Sequence, residues 1–390
     1  MTSKVFDNKL VIYLEGRIDS TNAQSIEREI DELVESNPRD ELVLDLENLE
    51  YISSAGLRIT LKLVKSIKNV KIINASSAVY EIFEMTGFTE FANISKAFRK
   101  ISIKDAEVIG QGANGKIYRI DDETICKVYL NDDSLPDIER ERNLTRKAFV
   151  LGVPTVIPYD VVKTEEGYAS VFELLNSCSF AKLTTQNPNK LDEYIKMSVE
   201  LLKKIHSTVV TSEDFPDMKK TVLYWADYLK DYLPEATFTK LIKMINDVPY
   251  TNHMLHGDFH FKNVMMQNDE PVIIDMDTIC VGNPIFEFAS MYNACEGFSY
   301  YSRTNVFAFL GIPYEVSSYI FKKQVELYLE TSDEEKLNEV FQKAKLIGFV
   351  RIARRSIRRG HLNDEMKAKV TKCYLSEIIK LVDELDNLII

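Results

Sequence analysis

The chain has 390 residues, 45% hydrophobic, 10% aromatic and 28% charged, with 14 Gly and 11 Pro; this excludes a disordered or fibrous chain and leaves room for two or three lobes. Acidic residues outnumber basic ones, 60 to 48, for a formal charge of −12 and a pI near 5.1, which argues against a broad basic surface for nucleic acid. No apolar run approaches the roughly 18–20 residues needed to span a bilayer, and charged residues break the first nine positions, so they do not read as a signal peptide.

Over residues 1–100 short β-rich runs alternate with amphipathic helices. Lys9–Leu14, Glu41–Leu46 and Lys71–Ala75 read as strands. Ile26, Ile30, Leu33 and Val34 mark one helical face, and Leu57, Leu61 and Val64 a second. Thr21 or Asn22 can cap the first helix, and Asn37-Pro38 ends it. Such alternation predicts a small sheet with helices packed on it. The charged stretch Ser95–Lys100 lacks strong periodicity and reads as a linker.

From Ile101 the pattern restarts. Residues 101–175 predict a β-rich lobe, with strands near Ala106–Ile109, Lys116–Arg119, Thr124–Tyr129 and Tyr168–Leu174 and a helix over Asp137–Leu151. Residues 176–390 read as mostly helical; Leu191, Tyr194, Ile195, Leu201, Leu202 and Ile205 lie on one amphipathic face. Cys126, Cys178, Cys280, Cys295 and Cys373 are scattered and never form C-x-x-C. They read as reduced thiols of a cytoplasmic protein, not as a disulfide framework or a zinc site.

The strongest chemical signal is H-G-D-F-H-F-K-N over 256–263, followed by V-I-I-D-M-D over 272–277. Phosphoryl transfer needs a carboxylate to orient the attacking hydroxyl and oxygen ligands for a Mg²⁺ that bridges nucleotide phosphates. Asp258, Asn263 and Asp275 supply that set in order. Upstream, G-Q-G-A-N-G-K-I places Gly110, Gly112 and Gly115 between two strand-like runs. The spacing also fits a dinucleotide fingerprint, but a helix should then follow the third glycine, and Lys116–Arg119 is β-like. Lys127 sits in the apolar strand I-C-K-V-Y, where a lysine is costly unless paired with an anion. His260 reads as a scaffold for its loop, while Asp277 either lines the substrate side or caps a turn. Trp225, Tyr292, Tyr300 and Tyr301 suit either core packing or a cage for a cationic amine. Only a short stretch separates Asp275 from Pro284, which leaves little room for a peptide-substrate platform.

These motifs resemble the aminoglycoside phosphotransferase/choline kinase-like small-molecule kinases, whose H-G-D-x-H-x-x-N signature is matched by His256, Gly257, Asp258, His260 and Asn263. The resemblance covers roughly residues 103–390. It implies a bilobal, protein-kinase-like fold with ATP and Mg²⁺ in the cleft, and a hydroxyl on a small molecule (aminoglycoside-, choline- or sugar-like) as acceptor. Asp258 maps to the catalytic base, Asn263 and Asp275 to metal ligands, and Lys127 to the phosphate-binding lysine, with Glu141 or Glu139 as its helix carboxylate. Phe172–Leu175 maps to the adenine-binding hinge, so Glu173 and Leu175 join Gly110, Gly112 and Gly115 among the ATP-binding residues. Phe261-Lys262 stands where Pro-Gly is frequent, and Asn283 replaces an Asp common in that family's following turn.

The segment Y-I-S-S-A-G-L-R over 51–58 follows a strand and opens a helix, whose free N–H groups and dipole tolerate phosphate. With Val11–Asp19 and Val79–Phe88 it resembles the STAS family of anti-sigma-factor antagonists over residues 4–100. The resemblance implies Ser54 as phosphoacceptor and a protein partner for this domain; Ser53 stands where that family usually has Asp. Either serine can also simply cap the helix. Arg351, Arg354, Arg355, Arg358 and Arg359 share one helix stripe before Gly360, suited to acidic surface, to an anionic substrate or to plain solvation.

The fold expected is therefore mixed α/β and α+β: a STAS domain over 1–100, a kinase-like N-lobe over 101–175 and a C-lobe over 176–390. The function expected is an ATP- and Mg²⁺-dependent small-molecule phosphotransferase with a regulatory or partner-binding STAS domain and no nucleic-acid or membrane partner. The alternative is a signalling protein whose kinase-like part phosphorylates protein or senses nucleotide.

Overall fold

Alternating strands and helices build the first of two units, Met1–Ile101, in a computed structural model that describes residues 1–6, 8–37, 40–111, 115–129, 134–175 and 177–390. Its five-stranded sheet runs in the order Thr2–Phe6, Lys9–Ile18, Glu41–Ile52, Val70–Ala75 and Asn93–Lys96. The first pair is antiparallel and the others are parallel. Residues 42–46 of the central strand are all buried, as expected of a parallel strand covered on both faces. Helices Ala23–Ser36, Ser54–Ser66 and Ser77–Met85 cover the sheet. Their inward residues, among them Ile30, Leu57, Leu63, Val79 and Phe83, close a core with Leu10, Ile12, Leu44 and Ile72.

Two expectations for this unit need correction. Asn93–Lys96 is the fifth strand, so the stretch beginning at Ser95 is not wholly a linker. Its four residues include one apolar side chain, Ile94, and an edge strand that short leaves no periodic trace. Capping also differs. Asn22 is at the N-cap of the first helix, but its Oδ1 accepts the Asp19 N–H instead of capping.

In the second unit, Ser102–Ile390, strands Pro158–Thr164, Gly167–Glu173, Thr124–Tyr129, Gly115–Arg119 and Glu107–Gln111 pair in that order, each antiparallel to its neighbour. The first of these was not anticipated from the sequence, because Pro158 opens it and a register shift follows at once. Helix Leu135–Val150 packs beside this layer, with Ile138, Leu144 and Ala148 buried. The remainder is mainly helical. Its core gathers Ile195, Leu202, Phe259, Phe288, Val350 and Ile378 from segments far apart in sequence. Two small strand pairs, Val264–Gln267 with Glu270–Ile273 and Met254–Leu255 with Cys280–Val281, flank the loops that carry the 256–263 and 272–277 motifs. No helix among the described residues is long and apolar enough to cross a membrane.

Candidate active site

Lys127 lies on the strand Thr124–Tyr129, hydrogen-bonded to a neighbour on each side. Its ammonium donates to Glu141 Oε1 and to Asp275 Oδ1, both at 2.8 Å, which answers the cost of placing a charge there. Desolvation pulls its pKa down, but Asp275 and Glu141 outweigh it, and the group stays charged well above its ordinary range. Glu141 is buried and also accepts the Tyr129 hydroxyl. Glu139 faces solvent, so the helix presents Glu141 to the lysine.

Gly115 permits this strand pairing, since a Cβ there would lie 2.2 Å from the Val128 carbonyl oxygen. Gly110 sits at an irregularity in the adjoining strand, and Gly112 lies outside the described residues. At the far end of the layer, the Glu173 N–H donates to the Ile157 carbonyl at 3.2 Å and the Leu175 carbonyl accepts the Ser177 N–H at 2.9 Å. Partial burial pushes the Glu173 carboxyl upward.

The segment 256–263 is a tightly bonded loop. Gly257 has φ +79°, and a Cβ would stand 2.5 Å from the Thr278 carbonyl oxygen, so this turn requires glycine. His256 Nε2 meets the Ile274 carbonyl at 3.1 Å, and Thr278 donates its hydroxyl to the His256 carbonyl at 2.8 Å. Asn263 donates Nδ2 to the Asp258 carbonyl at 3.1 Å, turning Oδ1 the other way as an acceptor. Asp258 carries its carboxylate 3.3 Å from Arg351 and 3.5 Å from His260 Nε2. Burial would raise its pKa; Arg351, His260 and His256 more than reverse this and hold it well below the usual carboxylate range.

Asp275 follows the strand Glu270–Ile273 in the left-handed region (φ 63°, ψ 63°), an uncommon conformation for a non-glycine residue. A single 3₁₀ turn, Met276–Thr278, and the short strand Cys280–Val281 lead to the helix Pro284–Cys295. Asn283 takes the cap of that helix, its Oδ1 accepting the Ile285 N–H at 3.1 Å. Burial and the neighbouring Asp275 carboxylate push Asp277 up to about 7.

Three features went unrecognised in the sequence. Glu287, fully buried, accepts N–H groups from His256 at 2.6 Å, from Gly257 at 3.0 and 3.1 Å, and from Phe259 at 3.4 Å. Tyr129 holds the far oxygen of Glu141. Arg351 donates to the Gly257 carbonyl at 2.9 Å as well as pairing with Asp258, so this member of the arginine stripe is not simply solvated. A carboxylate inside the otherwise apolar run I-F-E-F-A was the available signal for Glu287. The aromatic residues do not form one cage. Trp225 lies under Arg351, whereas Tyr292 and Tyr300 line a separate cavity of about 410 Å³ with Glu296, Lys322 and Lys345; Tyr292 also packs on Phe321 and Phe349.

In the first unit, Ser54 is exposed at the start of the helix Ser54–Ser66. Ser53 occupies the N-cap position without a capping hydrogen bond, and its buried hydroxyl has no partner. The side-chain cap expected of one of these serines is therefore not formed by Ser53.

Comparison with known proteins gives two family matches. The APH phosphotransferase enzyme family profile matches residues 105–309, and the STAS domain profile matches residues 1–101. A putative anti-sigma factor antagonist, BtrV of Bordetella bronchiseptica, is 40% identical over 67 residues, 17% of this chain and 57% of that protein, so the chain spans little more than half of that relative. Among solved structures, the ADP-bound aminoglycoside phosphotransferase APH(2'')-Ib aligns over 77% of this chain and 98% of its own at 16% identity, TM-score 0.50. The streptomycin–ATP ternary complex of APH(2'')-IIa aligns over 77% and 97% at 16% identity, TM-score 0.49. The second unit thus has the bilobal kinase-like fold, and the chain belongs to the phosphotransferase enzyme family, with a STAS domain in front.

Proposed function

We propose that this protein is an ATP- and Mg²⁺-dependent kinase that phosphorylates a hydroxyl of a small molecule, regulated or targeted through its STAS unit. The observation that carries the proposal is the joining of two otherwise distant segments: Lys127 bridges Glu141 and Asp275, while Asp258 and Asn263 are tied to one another in the neighbouring loop. A lysine held between a helix carboxylate and a loop carboxylate is suited to nucleotide phosphates.

The donor set fits Mg²⁺ bound together with a nucleotide. Among the described residues no three His, Cys, Asp or Glu side chains are placed to hold a metal alone. Asn263 and Asp275 supply two oxygen donors of the hard type, and Mg²⁺ commonly completes its shell with phosphate oxygens and water. When bound, Mg²⁺ neutralises charge on the phosphates. The chain's own part is to orient. Asp258, kept ionised by Arg351 and His260, accepts the acceptor's hydroxyl proton. The hydroxyl oxygen then forms a bond to the γ-phosphorus as the β–γ bridging bond breaks and ADP leaves. Gly110 and Gly115 would serve the phosphate side, and Glu173 and Leu175 the adenine side; the third glycine of that motif, Gly112, lies outside the described residues. The direct passage from Asp275 to the helix at Pro284 supports a small acceptor over a peptide.

In the front unit, Ser54 is the candidate phosphoacceptor, and the likeness to an anti-sigma factor antagonist supports a protein partner. The free cysteines fit the reducing cytoplasm. The first test is ATP consumption by purified protein with Mg²⁺ across amines, sugars, amino alcohols and hydroxy acids. Acceptor-dependent consumption that stops on chelation is expected; consumption indifferent to every acceptor and to chelation contradicts the proposal.

A further inference from the structure

The last two turns of the helix Glu334–Arg358, with its C-cap Arg359, carry five guanidinium groups within nine residues of a chain whose net charge is −12. Arg351, Arg355 and Arg359 follow one another at four-residue spacing and form a row on one face. The row begins at the reaction centre, because Arg351 touches both Asp258 and the Gly257 carbonyl. Arg355 continues it: the charges acting on Arg355 are Arg359 and Arg351 against it and Asp258 for it. Among the described residues, Asp258 is the single carboxylate within ion-pair distance of any of the five, and it pairs with Arg351 alone. Like charges stacked this way repel, and partial desolvation with that repulsion makes the Arg355 guanidinium less basic than usual.

The row is held in place from the side. Arg351 lies over the Trp225 ring at 5.3 Å, and Arg354 over Tyr228 and Tyr224 at 5.2 and 5.5 Å. The two tyrosine hydroxyls bond each other at 2.9 Å. Aromatic anchoring of this kind orients guanidiniums without a carboxylate partner. Arg354 Nε is buried and has no hydrogen-bond partner.

We propose that the Arg351–Arg355–Arg359 row binds an anionic group of the phosphate acceptor, so that the substrate is a hydroxyl compound bearing a phosphate or carboxylate rather than a polycationic aminoglycoside. This rests on the kinase reading above and names its substrate class. A polycation brought to Asp258 would meet uncompensated guanidiniums. A phosphate or carboxylate takes paired N–H donors from them and relieves their mutual repulsion. An anion anchored on Arg355 and Arg359 leaves the attached hydroxyl to reach Asp258, which lies 3.3 Å from Arg351 at the head of the row.

The test uses the full chain saturated with ADP and Mg²⁺, so that the nucleotide site is filled. Calorimetric titration compares inorganic phosphate, glucose 6-phosphate, gluconate, glucose and glucosamine, on wild type and on Arg355→Gln/Arg359→Gln. Inorganic phosphate and at least one anion-bearing sugar should bind wild type, and the double variant should weaken them by about tenfold or more. The phosphate and carboxylate arms show which anion is preferred. Failure of every anion to bind, or equal affinity in the variant, overturns the inference, as does preferred binding of glucosamine. ATP consumption by Asp258→Asn is read in parallel. If consumption needs Asp258 and anions still fail to bind, the substrate class alone is wrong; if it does not need Asp258, the kinase reading itself fails.

Discussion

Glu287 has no exposed surface, yet three backbone N–H groups of the 256–259 segment converge on its carboxylate and His206 Nε2 lies 3.6 Å away. Burial alone would raise its pKa; His206, His256 and the Gly257 N–H reverse this and hold it below the ordinary value. His206 is shifted down by burial and stays neutral at neutral pH. Both shifts have the same sign for stability. The His206 contribution is complete above its ordinary value of about 6.5 and is lost as pH falls below it; the Glu287 contribution is lost as pH falls below about 4.3. Glu287→Gln breaks the charge-assisted contacts and should cost about 3 kcal/mol. Thermal melts from pH 8 to pH 3 should show a variant lower by several degrees at neutral pH whose deficit narrows only below about pH 4.3. Equal melting at neutral pH would remove Glu287 as the clamp of the loop. The sequence did not single out Glu287, because nothing local tells which distant N–H groups a buried carboxylate will meet. Asp258, Asn263, Asp275 and Lys127 stood out in the sequence as candidates because each sits in a short motif. Arg351 was readable as charge and spacing, but its partner lies 94 residues away.

The helix Ser54–Ser66 shows how one element fixes a small domain. Its Gly56 faces Ile18 and Ile52 of the sheet, and a Cβ there would fall 2.6 Å from Ile52 Cγ1 and 2.9 Å from Ile18 Cγ2. Gly56→Ala should destabilise the Met1–Ile101 unit by about 1–3 kcal/mol through overpacking, despite alanine's better helix propensity. Ser53→Ala should be close to neutral, since that hydroxyl caps nothing and is buried without a partner. Hydrogen exchange of the helix amides in the full chain measures both. Faster exchange in Ser53→Ala, with Gly56→Ala unchanged, would invert this account. The helix and the three long strands were legible from periodicity. Thr2–Phe6 and Asn93–Lys96 were not, since edge strands this short or this exposed show no buried face.

For the whole molecule, the account joins a phosphotransferase unit to a STAS unit in one chain. Regulation through the front unit predicts that turnover or nucleotide affinity changes in Ser54→Asp and in a chain beginning at Ser102. A phosphoserine adds about −1.5 to −2 charge at that helix start, and aspartate imitates part of it. Equal rates and affinities in all three proteins would make the front unit an independent passenger. Fold class was visible in the sequence because each unit carries its own motif set; the acceptor was not, because no motif in the chain specifies it.

The central claim is that Asp258 serves transfer of phosphate to a small-molecule hydroxyl. Phosphorus NMR of reactions with Mg²⁺, ATP and an accepted hydroxyl compound follows the γ-phosphate to its destination in wild type and in Asp258→Asn. The account predicts a phosphate ester of the small molecule in wild type, and in Asp258→Asn a rate lower by at least about a hundredfold with ATP affinity preserved. A γ-phosphate found only on protein, or an ester formed equally fast by Asp258→Asn, would contradict it.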